Sequence, residues 1–337
     1  MINFRFHVVS LAAVFLALGI GIAAGTAFID DATVARLRDN LTGLEDRLDE
    51  TNAENDRLAA QVANLQQQAS QLGEEASARL LEGHLTGVPV VLVADRGVEG
   101  EAVDGTRSAL TAAGADVWGT LWLTERLRLD DEEARSELAG IVRIISDDPD
   151  RIRRLLVLEL ADVLAEPLRP VPQVAEPDGQ PVTTTTVAPE PDPLLSELIA
   201  SGFVDLEPGP DGPDEPALPA GDARLLAVSG NGAVVPPEAL LVPLLSELAE
   251  SGPVPVVAAT AITGNDPEAE AQRADLVGPL RTGDVADSLS TVDDLEGFAG
   301  WAAAVLALQD AGDERFGHYG VGDGADRLLP VGEDAQP

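Results

Sequence analysis

The chain opens on an uninterrupted apolar run of 22 residues, Val8 to Ile29. A helix needs about 20 such residues to span the hydrocarbon core of a bilayer. Arg5 precedes the run, and Asp30 and Asp31 follow it. The positive-inside bias then places the amino terminus in the cytoplasm and the bulk of the chain outside, as a single-pass protein of the cell membrane. A cleaved leader is the competing reading, with Gly25-Thr26-Ala27 as its small-residue site. The run is longer than a usual leader core and its flank is weakly basic, which favours a retained anchor. Ala13, Ala17, Gly21 and Gly25 recur every four residues and form one small-residue stripe, the kind that lets two membrane helices approach closely.

A seven-residue repeat follows. With Val34 at position a, the a set is Val34, Leu41, Leu48, Asn55, Val62, Ala69 and Ala76. The d set is Leu37, Leu44, Thr51, Leu58, Leu65, Leu72 and Arg79. Leucine at d predicts a parallel two-stranded coiled coil, and Asn55 at an a position fixes register and favours a dimer. Two chains anchored in one membrane adopt a parallel arrangement readily. The stalk would reach roughly 70 Å at the helical rise per residue.

Beyond the stalk the periodicity shifts to short apolar strands alternating with helices of a dozen residues. Val88–Ala94, Val117–Leu123, Arg224–Ser229, Val254–Ala259 and Val285–Val292 read as strands. Glu101–Ala113, Asp130–Ile145, Pro149–Leu164, Pro237–Glu250, Glu268–Leu280 and Leu295–Ala311 read as helices, several opened by acids that suit a helix amino end. This alternation predicts an α/β fold: a five-stranded, doubly wound, Rossmann-like domain with helices on both faces. Thirteen of the chain's 24 prolines fall between residues 167 and 221. That stretch, with Thr183–Thr186 and an acidic PGPDGPDEP, reads as a disordered Pro/Thr-rich insert. Within it, Leu194–Leu206 is apolar enough to dock back as a short helix and strand. The expected divisions are 1–30 (stub and membrane helix), 31–83 (stalk), 84–166 and 222–330 (the two parts of the α/β domain), 167–221 (insert) and 331–337 (tail).

Composition narrows the function. The chain has 59 acids and 21 basic residues, a formal charge of −38. All the basic residues are arginine, since no lysine occurs. A nucleic-acid partner, which needs a basic patch, is excluded. No cysteine and no lysine means no thiol nucleophile, no Schiff base and no phosphate-loop lysine. His7, His84 and His318 are the only imidazoles. Doubly wound sheets gather ligands at the carboxyl ends of their strands. The candidates there are Asp95, Asn231, Thr260, Asp293 and Asp294, with His318 and Tyr319 in a glycine-flanked GHYG further on. Asp95, Asp293 and Asp294 have the chemistry of an acidic cleft for a hard cation. They equally suit caps and turns. No nucleophile–base or zinc spacing stands out, so the reading is a non-enzymatic binding domain without a resident cofactor.

FRFHVVSLAAVFLALGIGIAAGT at residues 4–26, the heptads, STVDDLEGFAG at 290–300 and GHYGVG at 317–322 together resemble the actinobacterial copper transporter family, the MctB-like proteins. The resemblance implies a cell-envelope protein of copper efflux or homeostasis. Some members are linked instead to septal cell-wall processing through a protein partner. The expected partners are the lipid bilayer, a second copy joined through the stalk, and another envelope protein. Copper enters by the resemblance alone: Cu(I) takes thiolate and thioether ligands and Cu(II) imidazole, and this chain offers one Met, no Cys and three His.

Overall fold

The computed structural model describes residues 4–27, 40–44, 47–61, 79–98, 100–169, 191–213, 217–250, 252, 254–261 and 275–330. The chain divides into two compact units, Met1–Gln68 and Ala69–Pro337.

In the first unit, α1 (Phe4–Ala27) is an unbroken helix with no charged residue from Phe6 to Gly25. That segment has a mean hydropathy of 2.4 and is not buried anywhere along its length, as an apolar helix made to lie among lipid tails would be. Ala13, Ala17, Gly21 and Gly25 all lie on it. Residues 40–44 and 47–61 are helical. Leu41, Leu44, Leu48 and Leu58 on these stretches are exposed, as is Asn55. Leu37, Leu65 and Leu72 fall outside the described residues.

The second unit is built on a seven-stranded sheet, not a five-stranded one. Its strands are β1 (Pro89–Asp95), β2 (Asp116–Leu123), β3 (Val204–Pro208), β4 (Arg224–Gly230), β5 (Val256–Ala261), β6 (Ser290–Val292) and β7 (His318–Tyr319). Their order is β3-β2-β1-β4-β5-β6-β7, with β3 antiparallel to β2 and every other pairing parallel. The two extra strands lie at the edges, where VDLEP and HY carry no continuous apolar run. The expected strand over 285–292 shortens to β6, because Ala286–Ser288 is a 3-10 turn.

Helices cover both faces: α2 (Gly100–Ala112), α3 (Glu132–Ile141), α4 (Pro149–Leu168), α5 (Pro193–Ala200), α6 (Leu241–Glu250), α7 (Val277–Thr282) and α8 (Phe298–Gly312). Of the helix expected over Glu268–Leu280, residues 268–274 lie outside the described residues, and α7 begins at Val277 and runs past Gly278 and Pro279 to Thr282. Pro279 sits in its first turn, where no backbone donor is needed. Three helices begin with an Asp cap. Asp131 accepts from Ala134 N at 2.7 Å, Asp148 from Asp150 N at 3.0 Å and Asp192 from Leu195 N at 2.9 Å.

Strand alternation sorts the core into two clusters. Val91, Val93, Leu225, Ala227, Val256 and Ala258 face one way, under α3, α4, α5, α6 and α7. Leu92, Ala94, Leu226, Val228, Val257 and Ala259 face the other, under α2, α8 and the buried Leu81 and Leu85. Within 167–221, the stretch expected to dock back does so as α5 and β3. Arg169 and Asp222, which flank this span, lie side by side. Asp222 N donates to Arg169 O at 3.0 Å, and Ala223 N donates to Pro167 O at 2.9 Å.

Candidate functional site

The strand order reverses between β1 and β4, the switch point at which doubly wound folds open a ligand crevice. Asp95 ends β1 there and is fully buried. Its carboxylate accepts from Gly97 N at 3.0 Å, Val234 N at 2.5 Å and Val235 N at 2.9 Å. It therefore ties its own loop to the loop after β4. Gly97 and Gly232 meet where these loops cross, and a Cβ on Gly97 would overlap the Gly232 carbonyl. Burial pushes the Asp95 pKa up, and the three amide donors pull against that rise. Arg96, next in sequence, turns to Asp205 at 2.8 Å and stacks on Trp122.

Asp293 plays a matching part just beyond β6. It accepts from Val321 N at 2.6 Å and Gly322 N at 3.0 Å, holding the segment after β7. Here a cation joins: Arg281 of α7 reaches Asp293 at 2.8 Å, both side chains being nearly inaccessible to solvent at 4% and 6% exposure. Arg281 also donates to Thr291 Oγ1, Tyr319 O and Asp323 O. Gly320, at φ +124, has no room for a Cβ beside the Asp293 carboxyl, which accounts for the second glycine of GHYG. His318 Nδ1 lies 2.9 Å from Thr291 Oγ1. Burial, then the Arg281 charge, lowers the His318 pKa, against smaller upward pulls from Asp326 and Asp287. Tyr319 is buried, and its backbone carbonyl takes the Arg281 bond.

These positions do not make one acidic cleft. Asp95 and Asp293 end strands three places apart, about 14 Å at ordinary strand spacing. Asp294 adopts φ +62, and burial and then the neighbouring Asp293 charge raise its pKa. Asn231 sits in the turn after β4. Thr260 is buried on β5, its carbonyl bonded by Leu295 N at 3.1 Å. Among the described residues no group of three or more His, Asp or Glu is placed to hold a metal ion. His84 lies elsewhere, its Nδ1 2.6 Å from Gln309 Oε1.

Sequence reasoning missed Arg281. The signal was available, since Arg281 is the only basic residue between positions 274 and 314. It also missed a cluster that seats β3. Glu207 accepts from Trp122 Nε1 at 2.8 Å and from Arg107 at 3.0 Å. The Trp122 bond, then the Arg107 and Arg96 charges, lower the Glu207 pKa against a rise from burial.

Fold and site together define a class: a doubly wound α/β head, its switch-point crevice crossed by its own loops, following an apolar amino-terminal helix of membrane-anchor type. Residues 1–330 match the family described as "Copper transport outer membrane protein, MctB", and the chain belongs to that family. It is 26% identical over 331 residues to the copper transporters MctB of Mycobacterium bovis (strain ATCC BAA-935 / AF2122/97) and Mycobacterium tuberculosis (strain CDC 1551 / Oshkosh). The alignment covers 96% of this chain and 98% of each relative. The family is described by transport and not by a reaction. STVDD and GHYGVG, two of the segments that carried the resemblance, supply Asp293 and the Val321 and Gly322 amides that it holds, and Arg281 joins them from α7.

Proposed function

We propose that this protein is a membrane-anchored scaffold of copper homeostasis. It pairs through its stalk and presents its acidic head to another envelope protein, which supplies the metal ligands. The observation that carries this reading is the ligand inventory. The whole chain has no Cys, one Met and three His. The Nδ1 atoms of His84 and His318 are engaged by Gln309 and Thr291. Soft copper ligands are thus too few for one chain to pass the ion along, and the one membrane-type helix among the described residues makes no channel alone. The exposed leucines at 41, 44, 48 and 58 favour pairing, because a helical stripe of this kind in water gains by covering itself. The apolar helix with Arg5 before it supports a cytoplasmic amino terminus and an extracytoplasmic head.

The test is deletion of the gene in its host, with growth in copper and cell separation both scored. Copper sensitivity restored by the intact chain supports the homeostasis role. A separation defect alone transfers the scaffold to wall processing. Calorimetry on the full-length protein in detergent is expected to show no copper binding at micromolar concentration. Tight stoichiometric binding would sink the non-ligating reading.

A further inference from the structure

Two buried aspartates end strands of this sheet and hold backbone amides of crossing loops, but they differ in charge balance. Asp293 has Arg281 at 2.8 Å. Among the described residues, Asp95 has no arginine at salt-bridge distance, and its carboxylate is held by the amides of Gly97, Val234 and Val235. Converging amides around a buried negative group form an anion cradle, and doubly wound folds place such cradles at the switch point for a ligand's phosphate or carboxylate. Here the occupant is covalently part of the chain.

The surroundings carry a second sign of a ligand site. On β4 and β5 the residues Ser229 and Thr260 are register partners, and Ala94 of β1 pairs with Val228. Asp95, Ser229 and Thr260 therefore follow one another across adjacent strands. All three point to the face of Val93, Ala227 and Ala258. Ser229 is 0% exposed and Thr260 5%, yet among the described residues neither Ser229 Oγ nor Thr260 Oγ1 has a hydrogen-bond partner. Buried hydroxyls are ordinarily satisfied. A row of one self-supplied carboxylate and two unsatisfied hydroxyls is what a ligand-binding edge becomes when a side chain replaces the ligand.

We propose that the Asp95 carboxylate is a built-in occupant of an anion site at the switch point, and that removing it leaves a cradle for a small carboxylate. This rests on crevice geometry and is independent of the scaffold reading. The consequence for the native head is that no phosphate-bearing ligand enters the crevice, so recognition falls to its outer surface.

The test is thermal unfolding of the full-length protein in detergent, followed by tryptophan fluorescence. All three tryptophans, Trp118, Trp122 and Trp301, lie in the head. Asp95→Ala is expected to melt below the native protein and to regain stability saturably in sodium formate but not in sodium chloride of equal ionic strength. The native protein is expected not to respond. Equal formate responses in both proteins, or none in Asp95→Ala, would overturn the proposal, as would failure of Asp95→Ala to fold even when produced in formate. Asp95→Asn keeps the shape and an acceptor oxygen, so the cradle stays filled. It is expected to fold and gain nothing from formate, and a formate-dependent rise would count against the idea.

Discussion

At the scale of single residues, the chemistry of this head is spent on fastening. Arg281 serves one carboxylate, one hydroxyl and two backbone carbonyls from a position 4% exposed. Removing one partner of a buried pair strands the other, at a cost of about 3–5 kcal/mol. Asp293→Ala is therefore expected to destabilise the head by that order, as measured by urea unfolding with tryptophan fluorescence. Loss under 1 kcal/mol, roughly the worth of an exposed pair, would refute the buried-pair account. His318 gives a pH signature. Its folded value lies below the ordinary 6.5, so between the two values the unfolded chain binds a proton that the folded chain refuses. Stability is thus lost as pH falls through 6.5 toward the folded value. His318→Gln is expected to flatten that slope in melting curves across the same window. The polar candidates were visible in the sequence as residue types at strand ends. Their role was hidden because a carboxylate meeting a cation and one meeting amides of a distant loop read alike in text.

At the scale of elements, the central strands and covering helices were legible because two-sided burial writes itself as unbroken apolar runs. Val90–Ala94 and Leu225–Val228 are buried on both faces. The edges were not. β3 is held by the Glu207, Trp122 and Arg107 cluster, and β7 is two residues pinned by Arg281 and Asp293, so neither needed an apolar run to form. The heptads make the opposite case, a strong pattern whose leucines at 41, 44, 48 and 58 lie exposed, as the proposed pairing requires. Leu44→Glu with Leu48→Glu is expected to abolish stalk crosslinking between cysteines introduced near Leu58, while leaving the head's melting temperature unchanged. Undiminished crosslinking would exclude pairing through the leucine stripe.

At the scale of the whole molecule, architecture outran activity in the sequence for a physical reason. Anchors, heptads and βα alternation are long periodic signals, whereas the switch-point closure depends on three amides from residues 97, 234 and 235 meeting one carboxylate. The doorway formed by Arg169, Pro167, Asp222 and Ala223 has an evolutionary consequence. Because the two ends of the span between Arg169 and Asp222 meet at one backbone junction while its α5 and β3 pack into the head, changes of length are tolerated only outside those two elements. Each doubling of such a loop costs only about 0.6 kcal/mol of closure entropy. Divergence among related chains should therefore concentrate in the parts of this span outside α5 and β3, leaving the latch around Asp293 and the amides around Asp95 as the fixed points from which lineages vary.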